Sequence, residues 1–138
     1  MSQLSAPRII QMSSIGSSQL GYITVAEPPR DVPFDIKRVY WTYYTPHNVV
    51  RGNHAHKELE QLLVAAHGTL EVELEDLKGN KSQYKLENPS IGLLIPKLHW
   101  RNLRFSHSAV LLCMASAPYD EADYIRNYAD FRRLRGET

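Results

Sequence analysis

Strict alternation of apolar and acidic side chains in the segment TLEVELE, residues 69–75, restricts the fold of this chain more than any other feature. Leu70, Val72 and Leu74 fall on one face of an extended strand, because successive side chains of a strand point to opposite sides. The turn signal KGN follows at 78–80, and the segment SQYKLE can return as the second strand of a hairpin. The pattern predicts an antiparallel sheet with one face in the core.

Similar strand signals recur along most of the chain. GYITVAE and FDIKRVYWTYYT are rich in β-branched and aromatic residues, and EQLLVAA ends at a corner formed by His67 and Gly68. IGLLIP and AVLLCMAS are continuous apolar runs, which are typical of strands buried on both faces. Roughly nine or ten short strands, with a turn about every ten residues, predict an all-β barrel or sandwich.

The C-terminal tail, YDEADYIRNYADFRRL, is the one segment that predicts a helix. Phe131 and Leu134 are spaced for one face of a short helix, and Asp120 and Asp130 are candidate N-caps. We expect the acidic residues to pair with Arg126 and the tyrosines to pack over the sheets, so we interpret the tail as architecture rather than chemistry. Because no linker or repeat divides the chain, we expect a single domain over residues 1–138.

Composition excludes several classes of function. A chain of 138 residues with 43% hydrophobic and 22% charged residues can bury a core. The net charge of +1 argues against a nucleic-acid partner. The single cysteine, Cys113, excludes an internal disulfide and a cysteine-based zinc site. No run approaches the roughly 18 apolar residues of a membrane span, and we see no export signal, so we expect a cytoplasmic protein without membrane contact.

The segment RGNHAHK, residues 51–57, concentrates the candidate functional side chains. His54 and His56 point to the same face of a strand, and both would enter one cavity with Ala55 behind them. Arg51 precedes the pair by three residues and would lie at the mouth of that cavity. Spacing alone leaves three alternatives open: metal ligands, acid/base groups, or surface histidines without a role.

Five segments resemble the dTDP-sugar 3,4-ketoisomerase family, namely KRVYW, RGNHAHKELEQLL, GLLIPKLHW, AVLLCMAS and YDEADYIRNYADF. The similarity runs from about Gly16 to Leu134. It implies a small cupin, a jelly-roll-like double-sheet β-barrel with a short C-terminal helical segment. It also implies a homodimer, in which N-terminal strands can be exchanged between partners, and an enzyme of dTDP-amino-sugar biosynthesis that acts on a dTDP-linked 4-keto-6-deoxy sugar without a cofactor.

Metal-binding cupins share two motifs, G-x5-H-x-H-x3,4-E-x6-G and G-x5-P-x-G-x2-H-x3-N, and this chain departs from both. Anchoring the first motif on Gly68 places Gln61 at the glutamate position. Anchoring the second on Pro96 places Arg101 at the histidine position. A guanidinium has no lone pair to offer and repels a divalent ion. These two residues disfavour a metal, although His99 lies near enough in sequence to replace one ligand.

The family resemblance assigns roles to individual residues. His56 carries a proton between C3 and C4 of the sugar through an enediol, and His54 binds the sugar oxygens or relays a hydroxyl proton, since an imidazole titrates near neutral pH. A dTDP-sugar epimerase and a non-catalytic sugar-nucleotide-binding cupin remain alternatives, and packing remains the alternative role for the aromatic residues. The substrate-binding candidates are Arg38 and Arg51 for the diphosphate, with Tyr40, Gln61, Trp100 and Arg101 for the sugar end.

Overall fold

The structure is a computed structural model that describes residues 5–137. Twelve strands occur in this part of the chain, where the sequence predicts nine or ten. A 3-10 turn (Glu121–Asp123) precedes β12, and helix α1 (Tyr128–Arg133) is followed by a second 3-10 turn (Leu134–Glu137). The strands are β1 (Arg8–Gln11), β2 (Ser13–Ser17), β3 (Gly21–Val25), β4 (Arg38–Thr42), β5 (Val50–His56), β6 (Gln61–His67), β7 (Leu70–Glu75), β8 (Lys81–Leu86), β9 (Ile91–Ile95), β10 (Trp100–Phe105), β11 (Val110–Ala115) and β12 (Tyr124–Ile125).

Ten of these strands form two five-stranded antiparallel sheets. The first sheet has the strand order β1-β9-β6-β11-β4, and the second has the order β12-β5-β10-β7-β8. β2 and β3 pair only with each other among the described strands. The double-sheet, all-β fold predicted from the sequence is confirmed, although no ladder of hydrogen bonds closes the two sheets into one barrel within the described residues.

The alternating segment forms β7 as predicted. Leu70, Val72 and Leu74 are at most 1% exposed, whereas Glu71 and Glu73 are exposed. β7 pairs with β8 in the predicted hairpin. In the turn between them, the side chain of Asp76 accepts hydrogen bonds from backbone N–H groups on the far side of the turn. The apolar face of the hairpin faces the first sheet across the core.

The space between the sheets has two ends of different character. One, which we call the apolar end, is packed with side chains from both sheets, such as Leu63 on β6 and Phe105 on β10. The other, which we call the polar end, contains Gln61 and Arg101, the buried residues at the beginning of the same two strands. Because adjacent inward positions on a strand are two residues apart, each strand contributes to both ends.

The C-terminal segment folds against the second sheet, with a different cap from the one predicted. α1 begins after Asn127, whose side-chain oxygen accepts from the backbone N–H of Ala129 at 2.8 Å and of Asp130 at 3.2 Å. The N-cap assignment of Asp130 is wrong, because this residue lies within the first turn of the helix. Asp120, the other predicted N-cap, caps the 3-10 turn, where its side chain accepts from the backbone N–H of Ala122. No helix among the described residues has the length and apolar character that crossing a membrane requires.

Candidate active site

β5 carries both histidines and is interrupted by a bulge. His54 lies opposite Arg101 on β10 and Gly52 lies opposite Asn102, so Asn53 is an extra residue in this strand. Gly52 and Asn53 both have positive φ angles, 93° and 56°. A Cβ atom on Gly52 would lie 2.8 Å from the carbonyl oxygen of Arg101, so the bulge requires glycine at this position.

The bulge brings Arg51 to the same face of the sheet as the histidines. Arg51 lies opposite Leu103, which belongs to the core, and directly opposed residues on antiparallel strands share a face. In a regular strand, residues 51 and 54 would point to opposite faces. The side chain of Arg51 is exposed, so it stands on the histidine face but in contact with solvent.

His56 is buried and its protonation is defined by one neighbour. Its Nδ1 lies 3.0 Å from a side-chain oxygen of Asp123, and the residue is 1% exposed. A carboxylate only accepts hydrogen bonds, so Nδ1 carries the proton and Nε2 is the unprotonated nitrogen of the neutral ring. Nε2 is buried and has no hydrogen-bond partner among the described residues. His56 therefore presents a basic nitrogen that the protein itself does not occupy.

The C-terminal tail contributes directly to this site, so the sequence-based interpretation of the tail as architecture alone is incomplete. β12 pairs with β5, and Tyr124 lies opposite His56. The Tyr124 ring centroid lies 4.4 Å from that of His56 and 5.0 Å from that of His54. The motif DYIRNY was the only available signal for this contact, and its spacing does not reveal which strand it joins.

Burial and positive charge keep both histidines neutral. Burial, and next to it the charge of Arg101, lowers the pKa of His54 to about 4. The same two causes, in the same order, hold the pKa of His56 well below its usual value. The two rings meet edge to face with centroids 4.9 Å apart. Because Nδ1 of His54 donates to the carbonyl oxygen of Gly52 at 3.0 Å, its Nε2 is also unprotonated.

Three of the predicted site residues form one buried polar network. The Gln61 amide nitrogen donates to the Tyr40 hydroxyl at 2.9 Å, and the Gln61 oxygen accepts from Arg101 Nη1. Arg101 also donates through Nη2 to the carbonyl oxygen of His99 at 3.1 Å. Arg101 is 2% exposed, and burial lowers its pKa to about 10. Among the described residues no carboxylate hydrogen-bonds to this guanidinium, so the site contains a fixed cation.

Arg38 lies on β4 and is turned toward the same network. Its guanidinium carbon is 5.4 Å from the Tyr40 ring centroid and 5.7 Å from that of Tyr119. Its Nε is buried and finds no hydrogen-bond partner in the described part of the chain. Val39 and Trp41 are exposed, as expected for the opposite face of β4. Arg38 therefore holds a donor that could meet an anion.

Trp100 is placed away from the histidines. It precedes Arg101 on β10 and so points to the opposite face of the second sheet. There its ring packs 5.3 Å from Tyr128 and 5.8 Å from Phe131 between centroids, and it is 8% exposed. Tyr40, Gln61, Arg101 and Arg38 gather around one buried network, and Arg51 lies exposed on the strand of the histidines. Trp100 instead packs against α1.

The positions at which metal-binding cupins have ligands are occupied differently here. Gln61 and Arg101 hydrogen-bond to each other, as described above. Within residues 5–137, no three His, Cys, Asp or Glu side chains gather closely enough to hold a metal ion. Metal-independent chemistry remains a prediction from these residue types.

Comparison with known proteins identifies the family. Residues 5–136 match the family model described as "FdtA: WxcM-like, C-terminal". The chain belongs to the WxcM-like family. The resemblance found in the sequence is thereby confirmed over nearly the whole chain.

Three known proteins are similar to this chain over most of its length. It is 39% identical over 128 residues to the TDP-4-oxo-6-deoxy-alpha-D-glucose-3,4-oxoisomerase of Aneurinibacillus thermoaerophilus, covering 91% of this chain and 90% of the relative. The sugar 3,4-ketoisomerase QdtA of Thermoanaerobacterium thermosaccharolyticum, solved in complex with TDP, is 36% identical, with 95% of each chain covered and a TM-score of 0.89. The TDP-quinovose 3,4-ketoisomerase WlaRB of Campylobacter jejuni is 43% identical, covering 92% of this chain and 97% of its own, with a TM-score of 0.85.

Proposed function

We propose that this chain is a sugar-nucleotide 3,4-ketoisomerase that converts a dTDP-4-keto-6-deoxyhexose into the corresponding 3-keto sugar. The observation that carries the proposal is the unprotonated Nε2 of His56, which no described residue hydrogen-bonds, in a site that also contains the fixed cation Arg101. The names of the three similar proteins, which match over nine-tenths or more of this chain, support the same reaction.

The reaction moves two hydrogens and needs no external reductant. Nε2 of His56 takes the proton from C3, and the C4 carbonyl oxygen becomes an enolate. The O3 hydroxyl proton passes to O4 through Nε2 of His54, and His56 returns its proton to C4 as the C3 carbonyl forms. A neutral imidazole is the form that can accept the first proton, and Arg101 stabilises the negative charge that develops on oxygen.

The remaining residues bind the substrate. Arg38 and Arg51 meet the diphosphate, because guanidinium groups present paired donors to phosphate oxygens. Tyr40 and Gln61 orient the sugar hydroxyls from the buried network. We assign Trp100 to the scaffold and not to the substrate, since it packs on the opposite face of β10.

Proton NMR in deuterated water with dTDP-4-keto-6-deoxyglucose tests the proposal. The wild type is expected to exchange the C3 proton and to form a 3-keto sugar. His56→Asn should lose about 10²- to 10⁴-fold in rate, whereas His67→Asn, which changes an exposed histidine, should be unaffected. Exchange at C5 with the carbonyl left at C4 would indicate an epimerase. Binding without any exchange would indicate a non-catalytic protein.

The enzyme is proposed to act as a homodimer in which the β2–β3 hairpin pairs with a second copy. This hairpin joins neither large sheet among the described strands, yet it exposes Ile15 and Ile23 at 61% and 65%. These two residues lie directly opposite each other in the hairpin, and so they form one apolar face. An apolar face on an unpaired two-stranded ribbon is unstable in water and marks a contact surface.

Sedimentation equilibrium checks the assembly. The wild type should sediment as a dimer, and Ile15→Ser combined with Ile23→Ser should shift it toward the monomer. The matched control, Ser14→Ala with Thr24→Ala, changes the opposite face of the same hairpin and should remain dimeric. A monomeric wild type at micromolar concentration would overturn this proposal.

A further inference from the structure

The contact between His56 and Asp123 has no part in the proton transfers described above. We infer that Asp123 is a positioning residue that holds His56 in its Nδ1–H tautomer and stabilises the imidazolium that forms when Nε2 takes a proton. The first half of this inference concerns the resting protein alone. The second half rests on the proposed function, because it concerns the charged ring formed during the reaction.

Asp123 is held in place by the turn that directly follows the strand carrying His56. One carboxylate oxygen, Oδ1, accepts from the backbone N–H of Glu58 at 2.8 Å, and the other, Oδ2, contacts the N–H of Leu59 at 3.4 Å. The carbonyl oxygen of Asp123 accepts from the N–H of Lys57 at 2.9 Å. The carboxylate is therefore fixed before it meets His56 Nδ1 at 3.0 Å through Oδ2. A side chain fixed this way orients the ring without rearrangement during reaction.

The surroundings of His56 otherwise oppose a positive charge on its ring. Burial and the neighbouring cations disfavour the imidazolium, which keeps the pKa of His56 low in the resting protein. Asp123 is the carboxylate that touches the ring, whereas Glu121 is engaged with Arg126. A negative charge in direct contact offsets the repulsion at the moment the ring gains its proton. Among the described residues, the titratable and charged groups around His56 include Arg38 from β4, His54 from β5, Arg101 from β10, and Asp123, Tyr124 and Arg126 from the C-terminal segment.

Replacing Asp123 by asparagine should change the tautomer of His56 without disturbing the local backbone. The Asn oxygen can still accept from the N–H of Glu58, and its amide nitrogen then faces His56. The backbone N–H cannot reverse its role, but the imidazole can, by moving its proton from Nδ1 to Nε2. Asp123→Asn is therefore expected to keep the short contact with the N–H of Glu58 and to lose only the longer contact with the N–H of Leu59. It should also block the nitrogen of His56 that accepts the substrate proton.

Two measurements on the full-length protein test the inference. ¹⁵N NMR of histidine-labelled protein should show the neutral His56 protonated on Nδ1 in the wild type and on Nε2 in Asp123→Asn. Turnover of dTDP-4-keto-6-deoxyglucose should fall in kcat by about 10²- to 10⁴-fold with little change in KM. Glu121→Gln is the matched control: it makes the same change two residues away, on a carboxylate that pairs with Arg126, and should alter neither measurement.

The outcomes separate this inference from the proposed function. A wild type in which neutral His56 carries its proton on Nε2 would overturn the inference, and this result needs no variant to fold. An Asp123→Asn protein with turnover within about threefold of the wild type would overturn the catalytic half. If the wild type does not isomerise the sugar, the proposed function and the catalytic half that rests on it both fail, and the tautomer measurement still decides the positioning half.

Discussion

The two ends of the space between the sheets are built from the same strands, yet they bury different chemistry. On β6 the inward side chain changes from Gln61 to Leu63, and on β10 it changes from Arg101 to Phe105. The apolar end gains stability from every side chain it buries, about 1.5–3 kcal/mol for a large aliphatic or aromatic group. The polar end buries a cation and a neutral imidazole, and within residues 5–137 no hydrogen-bond partner reaches Nε of Arg101 or Nε2 of His56. One end stabilises the fold, and the other is arranged to receive a ligand.

This contrast predicts that substitutions at the apolar end change stability most. Phe105→Ala removes a fully buried aromatic ring between the sheets. We expect the free energy of unfolding to fall by about 3–5 kcal/mol, measured by urea denaturation, with turnover per folded molecule retained. Phe105→Leu, which preserves most of the volume, should lose less than about 1.5 kcal/mol. Equal losses for the two variants would show that the ring does not pack as described.

The bulge in β5 belongs to the polar end, and a substitution there should lower both stability and activity. Gly52→Ala forces a Cβ atom against the carbonyl oxygen of Arg101 in a backbone conformation that L-residues avoid. We expect a loss of about 2–4 kcal/mol in unfolding free energy together with a loss of activity, since the histidines and Arg51 depend on this bulge. Gly21→Ala is the control: φ is also positive there, but the added atom meets nothing within 4 Å. It should cost only about 1–2 kcal/mol and leave turnover per folded molecule unchanged.

The pH dependence of stability should come from the polar end. Burial lowers the pKa of His54, His56 and His99, so the unfolded chain binds more protons than the folded one once the pH falls below about 6.5. The contribution of these histidines to the free energy of unfolding is therefore complete above pH 7. It declines on acidification toward the folded pKa, which is about 4 for His54. We expect this residue to contribute about 1–2 kcal/mol of the loss between pH 7 and pH 4.5, after a discount for its partial exposure.

Urea denaturation at several pH values measures this slope. His54→Asn should reduce it, and His107→Asn should leave it unchanged because that residue is exposed. A slope identical in His54→Asn and the wild type would mean that His54 titrates normally in the folded protein.

Local patterns in the sequence predicted much of the fold and part of the site. The alternation that defines β7 and the i, i+2 spacing of His54 and His56 are properties of a strand alone, so they can be inferred without any tertiary information. The position of Gln61 in the buried network followed from motif spacing. The single domain remains a prediction from sequence.

Features that depend on long-range pairing were not predictable in this way. Asp123 meets His56 across 67 positions in the chain, through a two-residue strand too short to carry a signal of its own. The bulge at Gly52 and Asn53 arises from the register of β5 against β10. The helix cap fell to Asn127 rather than Asp130 because β12 fixes where the chain leaves the sheet and turns into α1.

We expect the smallest change in stability at the most buried charge, Arg101. This substitution gives the clearest test of whether the polar end serves catalysis and the apolar end serves the fold. Arg101→Met replaces a cation, which no carboxylate in the described part of the chain contacts, by an apolar side chain of similar length. Relief of the desolvation cost and loss of the Gln61 hydrogen bond should nearly cancel, leaving unfolding free energy within about 1 kcal/mol of the wild type. Turnover should nevertheless fall by about 10²-fold or more, because the developing enolate loses its fixed positive charge.

Arg104→Met, at an exposed site on the same strand, is the control and should change neither stability nor turnover. A large loss of stability in Arg101→Met would mean that the guanidinium serves the fold, and the division between the two ends would not hold.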